Sequence, residues 1–251
     1  MINLRSHALA AAASLRGGAA AGCLTLASAF GLKLAYSKAG AGELEWVLAP
    51  SCWFASALGG IQFTHEVGAG FITHAPRMVV GTACAGVNFM VVCWLALFFA
   101  VQARFSGQRG KLALWAATLL GAYLATIATN GLRIVLAAAL YDMDIYAGWL
   151  TKGRLHRLLG VVLYCSVLFG LCRAAEHWTR RWANAGVVSR PSRFALLSPL
   201  FWYLLVALGV PLANRSFLRN PAQFAEHALV TLGVGLAVML VFRLSSRRAA
   251  A

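Results

Sequence analysis

The sequence Gly81-Thr82-Ala83-Cys84-Ala85-Gly86-Val87-Asn88-Phe89 leads directly into an apolar run that extends from Met90 to Val101. This pattern predicts a helix that begins near Cys84 and is apolar along its whole length. Unpaired N–H groups and the positive end of the helix dipole favour a thiolate in a first helical turn. Free cysteines, however, most often serve as small apolar side chains. The stretch therefore predicts an apolar helix and leaves two interpretations of Cys84, a nucleophile or a packing residue.

The composition indicates an integral membrane protein. Of the 251 residues, 61% are hydrophobic and only 12% are charged, which is unusual for a soluble domain. The net charge of +15 arises from 22 basic residues against 7 acids. Because apolar runs separate the basic clusters, these clusters predict anchors at a membrane face and no nucleic-acid partner. The lipid bilayer is the expected surrounding.

The six cysteines are scattered, mostly within apolar runs, and no two of them form a CxxC pair. This spacing indicates neither a disulfide framework nor a zinc site. We therefore expect no metal and no cofactor.

Apolar runs and their interruptions predict an all-α fold, a polytopic transmembrane helical bundle that forms a single domain over residues 1–251. The expected count is six crossings plus two short non-crossing helices, or eight helices if both short segments cross. Glycines and the absence of a helical period predict an extended or hairpin segment over 62–81. The expected crossings are 18–36, 83–101, 112–129, 158–171, 194–213 and 228–242, and the short segments are 43–60 and 130–157.

The positions of the arginines predict which ends of the helices share a side. Loops 102–111 and 173–193 and the basic tail should be cytoplasmic by the positive-inside rule. Cys84, Asn130 and His156 then lie at the extracytoplasmic face. Because the segment from Asn130 to His156 begins and ends on that face, we expect an interfacial or re-entrant helix there.

Three residues of complementary chemistry meet at the predicted outer face. Cys84 supplies a nucleophile, His156 opens a helix, and Arg133 begins an apolar stretch, where an unpaired charge is costly. An imidazole that takes the thiol proton and returns it to a leaving amine completes a minimal arrangement for acyl transfer. A fixed guanidinium stabilises the oxyanion of the tetrahedral intermediate. Taken alone, Arg133 could also be an interfacial anchor, and His156 could be a polar helix cap. Taken together, Cys84, Arg133 and His156 predict a catalytic site.

The order and context of these motifs resemble the exosortase/archaeosortase family of membrane cysteine transpeptidases, and within it the exosortase K subgroup. Ala83-Cys84-Ala85-Gly86 is similar to the family's Ala-Cys-Ser-Gly, with Ala85 in place of serine. Asn130-x-x-Arg133-Ile134 is similar to its Asn-x-x-Arg-Ile motif. His156, four residues before Gly160, is similar to its histidine motif. The resemblance covers about residues 35–173.

The resemblance implies a function. Enzymes of this family cleave a C-terminal tripartite sorting signal of exported proteins, a Pro-Glu-Pro-like motif followed by a hydrophobic helix and a basic tail. Cleavage proceeds through a thioacyl intermediate in the bacterial cytoplasmic (inner) membrane, often coupled to exopolysaccharide production. Cys84, Arg133 and His156 are then the catalytic residues. Asn130, Arg77 and Arg154 are expected to bind substrate, with Lys152 also able to attract an acidic residue, although such cations more often contact lipid headgroups.

Two other functions are weighed against this one. A channel or transporter would place Arg133 and His156 in a polar pathway, and inverted repeats or broken helices would favour it. A metal-dependent hydrolase would use His65, Glu66 and His74, whose spacing is not that of HExxH. The sequence leaves open the substrate protein, the acceptor, the choice between hydrolysis and transpeptidation, and the oligomeric state.

Overall fold

The computed structural model describes residues 4–105, 107–141, 143, 145–182 and 197–248. Within these residues the chain forms a bundle of helices with one small antiparallel sheet. Most of the predicted basic loop 173–193 and the start of the run at 194 lie outside the described side chains. The helices are α1 (Leu4–Lys38), α2 (Glu45–Gly59), α3 (Val87–Val101), α4 (Gln108–Ala139), α5 (Lys152–Trp182), α6 (Leu197–Leu204), α7 (Val210–Ala213) and α8 (Pro221–Arg248), and the strands are β1 (Thr64–Glu66), β2 (Gly70–His74) and β3 (Arg77–Val80).

Helix α3 lies at the centre of the bundle. Helices α1, α4, α5 and α6 all contact it, and its largest side chains, Trp94, Phe89 and Phe98, are fully buried. Trp94 also donates its indole N–H to the carbonyl oxygen of Trp115 on α4, at 3.3 Å. A helix that is apolar all round is stable when apolar neighbours surround it. The prediction of an apolar helix after Cys84 is therefore confirmed.

Several helices have the length and composition of membrane spans. Among the described residues, five segments qualify, and a shorter apolar segment covers Pro199–Ala213. The prediction of an integral, helical membrane protein is confirmed at this level, whereas the count of six crossings is not. The five segments are Ala19–Lys38, Thr82–Arg104, Gln108–Ala139, Lys152–Thr179 and Pro221–Ser245.

The segment predicted as extended or hairpin forms the three-stranded sheet, in the order β1-β2-β3. Phe71 pairs with Val80, and His74 pairs with Arg77 at the other end of the β2–β3 register. Gly70 has φ 104°, and a Cβ there would lie 2.6 Å from the carbonyl oxygen of Val80. Only glycine permits this approach. Strand β3 is thus paired with β2 up to its last residue, and the turn that contains Cys84 follows it directly.

The predicted helix between Asn130 and Arg157 is wrong. Residues 130–139 continue α4 without a break, and turns and irregular backbone, as far as they are described, join α4 to α5 over 140–151. Gly131 does not end the helix. It permits close packing of α2, because a Cβ there would lie 2.6 Å from Cδ1 of Phe54 and 3.0 Å from the Ser51 carbonyl oxygen. Of the two predicted short helices, the structure therefore retains α2 alone within the described residues.

Candidate active site

Cys84 lies on a separate turn before α3. Residues Thr82–Cys84 form one turn of 3₁₀ helix, closed by a hydrogen bond of 2.8 Å from the Cys84 N–H to the Gly81 carbonyl oxygen. Gly86 then adopts φ 72° and separates this turn from α3. The prediction that Cys84 belongs to the first turn of the apolar helix is therefore wrong. Its half-buried thiol takes its surroundings from neighbouring helices instead.

Gly86 allows these neighbours to come close. A Cβ at this position would lie 3.1 Å from Cγ2 of Thr126 and 3.4 Å from the hydroxyl oxygen of Tyr164. Its left-handed backbone is also one that residues with side chains rarely adopt. Gly86 thus has two roles. It permits the left-handed backbone after the Cys84 turn, and it allows α4 and α5 to contact that turn closely.

Arg133 lies inside α4 and is buried, with 7% of its surface exposed. It was expected at the start of an apolar segment, and the continuation of α4 corrects that placement. Its Nη1 donates a hydrogen bond of 2.6 Å to the Tyr164 hydroxyl, and its Nη2 contacts Nε2 of His156. Its Nε is buried without a hydrogen-bond partner among the described residues. Two fixed contacts orient a charge that would otherwise be costly to bury.

His156 lies in the first turns of α5, as predicted, and its Nε2 is 3.9 Å from Sγ of Cys84. The same nitrogen contacts Nη2 of Arg133. A guanidinium can only donate hydrogen bonds, so Nε2 is the acceptor in that contact and the imidazole is neutral, with its proton on Nδ1. The thiol and the guanidinium therefore compete for one lone pair.

Asn130 supports the Cys84 turn from within the protein. It is fully buried on α4, and its Nδ2 donates a hydrogen bond to the carbonyl oxygen of Cys84. Its Oδ1 accepts a hydrogen bond of 3.3 Å from the Tyr164 hydroxyl. Both ends of the amide are occupied within the protein. In the structure Asn130 contacts the backbone of the proposed nucleophile, and its role in substrate binding stays a prediction.

The other three predicted cations are divided between two places. Arg77 on β3 and Lys152 at the start of α5 line the same cavity as Cys84, and the Lys152 ammonium lies 3.7 Å from the ring centre of Tyr141. Arg154 lies away from that cavity. It forms an ion pair with Glu226 of α8, with Nε and Oε1 2.9 Å apart, and donates to the Trp149 carbonyl oxygen. The role of Arg154 in substrate binding stays a prediction, and its partners in the structure lie outside that cavity.

Two cavities meet at His156. The first, of about 420 Å³, lies between β3, the Cys84 turn and the beginning of α5, and contains Cys84 but not Arg133 in its lining. The second, of about 570 Å³, reaches Arg133 from among α3, α5 and the segment from α6 to α8. Both volumes lie within the range of ligand pockets. His156 is thus accessible from two sides, with the thiol on one side and the guanidinium on the other.

Sequence reasoning missed Tyr164 and Glu226. Tyr164 contacts both Arg133 and Asn130 and stacks on Phe89, with ring centres 4.5 Å apart. It occurs within an apolar run, where an aromatic residue is most simply explained by packing. Glu226 is 72 positions from Arg154 along the chain. Neither position carries a local signal, because their partners come from other helices.

The residues of the metal-hydrolase alternative lie on the sheet, with His65 and Glu66 on β1 and His74 at the end of β2. In the described part of the chain, no three His, Cys, Asp or Glu side chains are grouped so as to hold a metal ion.

No protein-family model, curated protein or solved structure matches the chain. The fold and the site together define a class in chemical terms. It is a helical protein with helices of membrane-spanning length and a cluster of thiol, imidazole and guanidinium beside two cavities.

Proposed function

We propose that this protein is a membrane-embedded cysteine peptidase or transpeptidase that cleaves C-terminal sorting signals of exported proteins through a thioacyl intermediate. The observation that carries the proposal is the convergence of Cys84 and Arg133 on Nε2 of His156. These residues come from the Cys84 turn, α4 and α5, which are distant in sequence. The resemblance of their motifs to the exosortase/archaeosortase family supports the same function.

The first chemical step forms the thioester. Sγ of Cys84 attacks the carbonyl carbon of the scissile peptide bond, and Nε2 of His156 takes the thiol proton. The tetrahedral intermediate collapses as its C–N bond breaks, and the imidazolium returns the proton to the departing amine. Water or an acceptor amine then attacks the thioester and releases Cys84. The sulfur–imidazole separation of 3.9 Å needs only a small closure for direct transfer.

Arg133 has to change partner during this step. While its Nη2 donates to Nε2, that lone pair cannot accept the proton of Cys84. The substrate carbonyl oxygen, as it gains negative charge, offers the guanidinium a stronger acceptor than a neutral imidazole. Transfer of Arg133 to the oxyanion therefore frees the base and stabilises the intermediate in one movement.

The position of the site along α4 supports access from the outer membrane surface. The 32 residues of α4 are about 48 Å long, whereas the hydrocarbon core is about 30 Å thick. If the core begins near Leu112, it ends near Asn130, so Arg133 lies at its edge. The cavity that contains Cys84 is bordered by β3, outside the helical bundle. A sorting motif just outside the bilayer, in the extracytoplasmic space of a bacterial inner membrane, fits this position.

The decisive experiment is co-expression with candidate proteins that carry a tripartite C-terminal tail, with loss of the tail followed by mass. Cys84→Ala should abolish processing while the folded protein accumulates normally, because it removes the sulfur that accepts the acyl group. Cys93→Ala, at a fully buried position in α3, and Cys52→Ala serve as controls. Burial raises the pKa of Cys52 to about 12, so its thiol stays protonated near neutral pH.

The opposite result would identify a different class of protein. Processing that persists in Cys84→Ala, or fails equally in Cys93→Ala, contradicts the proposal. The channel or transporter alternative predicts that Cys84→Ala leaves solute flux through reconstituted vesicles unchanged and that Arg133 substitutions abolish it.

A further inference from the structure

The geometry points to Tyr164 as a positioning residue that couples the guanidinium of Arg133 to the backbone of Cys84. This inference rests on the proposed function and adds a residue to its machinery. Tyr164 lies on α5, two turns beyond His156, and is not itself in contact with the thiol in the described hydrogen bonds. Its role therefore acts through its neighbours.

The hydrogen bonds around Tyr164 run in one direction. Arg133 Nη1 donates to the Tyr164 oxygen at 2.6 Å, and the Tyr164 O–H donates to Oδ1 of Asn130 at 3.3 Å. Asn130 Nδ2 then donates to the Cys84 carbonyl oxygen. A guanidinium only donates, so the tyrosine oxygen must accept from it, and its single proton is left for Asn130. The donor role of Arg133 therefore determines which partner the Tyr164 hydroxyl donates to.

This direction fixes the orientation of the Asn130 amide. With Oδ1 held by the Tyr164 hydroxyl, Nδ2 faces the Cys84 carbonyl oxygen, and a reversed amide would place two oxygens together. Phe89 stacks on the Tyr164 ring, with ring centres 4.5 Å apart and an interplanar angle of 11°. This stacking holds the hydroxyl within reach of both Arg133 and Asn130. The close contact at Gly86 completes the support, since a Cβ there would lie 3.4 Å from the same hydroxyl.

Removal of the hydroxyl separates this role from packing. Tyr164→Phe retains the ring and its stacking on Phe89 but breaks two links of the chain. Tyr203→Phe is the matched control, because Tyr203 is also buried and lines the cavity that Arg133 reaches. Asn130→Asp is the second variant. Its ionised carboxylate still accepts from Tyr164 but cannot donate to the Cys84 carbonyl, so the last link is lost and a negative charge is added beside the hydroxyl that Arg133 contacts.

The test has one readout that needs no substrate and one that does. In hydrogen–deuterium exchange on the purified full chain, Tyr164→Phe and Asn130→Asp should raise uptake in the peptide 82–90, and Tyr203→Phe should not. In the processing assay Tyr164→Phe should lower kcat by about 10- to 100-fold, the factor for one hydrogen bond to a charged group, with KM unchanged. Asn130→Asp should lower kcat by at least about 2- to 10-fold, the factor for one hydrogen bond between neutral groups. Wild-type uptake in 82–90, or a normal kcat, in both variants overturns the inference.

The two readouts also distinguish this inference from the proposed function. If the wild-type protein processes no tailed substrate, the proposed function fails, and uptake in 82–90 alone decides whether Tyr164 holds the Cys84 turn. If Tyr164→Phe unfolds, which would raise uptake throughout α3 to α5, Asn130→Asp decides the outcome by the same criteria.

Discussion

At the scale of single residues, the site depends on one imidazole nitrogen that two side chains contact. Nε2 of His156 is 3.9 Å from the Cys84 sulfur and accepts from Arg133. A positive charge so deep in the bundle is stabilised by the acceptors that its two terminal nitrogens contact. Arg133 is therefore a structural residue of the resting site as well as the proposed oxyanion donor.

Arg133→Lys tests both roles at once. A lysine ammonium cannot bond Tyr164 and reach His156 in the geometry of the planar guanidinium. We expect processing to fall by about two orders of magnitude, the scale of losing one oxyanion donor. The free energy of unfolding should also fall by about 1–3 kcal/mol, because a buried charged hydrogen bond is lost. Processed fraction at matched folded protein is the measurement.

Arg154→Lys is the control for this prediction. Arg154 is partly exposed and paired with Glu226, and such ion pairs contribute little to stability, at most about 1 kcal/mol. Processing should remain near wild type. An Arg133→Lys variant that processes substrate normally would remove the guanidinium from the mechanism and leave the Cys–His pair alone.

At the scale of the elements, sequence patterns predicted more of the helices than of their ends. The apolar run after Cys84 predicted α3 because a long apolar run in a membrane protein is most simply a helix, whose backbone groups are satisfied internally. The predicted crossing ended at position 129, whereas α4 continues through Asn130 and Gly131 to Ala139. Their actual roles, close packing against Phe54 and a bond to the Cys84 carbonyl, depend on partners far away in sequence. Cys84, His156 and Arg133 could be predicted because their side chains have reactive or charged groups. Tyr164 could not, because its partners come from other helices.

Gly131 offers a test of this packing within α4. Gly131→Ala would place a Cβ 2.6 Å from Phe54 and 3.0 Å from backbone of α2, so α2 has to move. We expect a loss of about 1–3 kcal/mol in the free energy of unfolding, typical of overpacking. Gly121→Ala lies on the same helix with no atom within 4 Å of the added Cβ. It should be neutral or stabilising, by up to about 1 kcal/mol. Equal denaturation midpoints for the two variants in detergent would contradict the assigned role of Gly131.

At the scale of the whole molecule, the arrangement predicts a sided protein. Arg104 in the short connection from α3 to α4 and Arg109 and Lys111 in the first turn of α4 lie at one end of α3. The sheet and the Cys84 turn lie at the other end. Basic loops remain in the cytoplasm. We therefore expect the proposed site to face the extracytoplasmic side.

Single-cysteine labelling in intact cells tests the sidedness. In a background without the six native cysteines, Glu66→Cys on the exposed strand β1 should react with an impermeant maleimide. Arg109→Cys, in the exposed first turn of α4, should react only after the membrane is opened. Labelling of position 109 from outside would invert the arrangement and place the site in the cytoplasm.

The central position of α3 limits which substitutions its sequence can accept during evolution. In the apolar window of the α3 segment 72% of residues are buried inside the protein, against 11% for α8. A residue surrounded by protein must keep its shape, whereas one surrounded by lipid needs only to stay apolar. Exchanges among leucine, isoleucine and phenylalanine should therefore accumulate freely along α8 and be rare along α3. Variation among descendants of this chain would then be lowest in the helix that follows Cys84 and highest in the helix closest to the C-terminus.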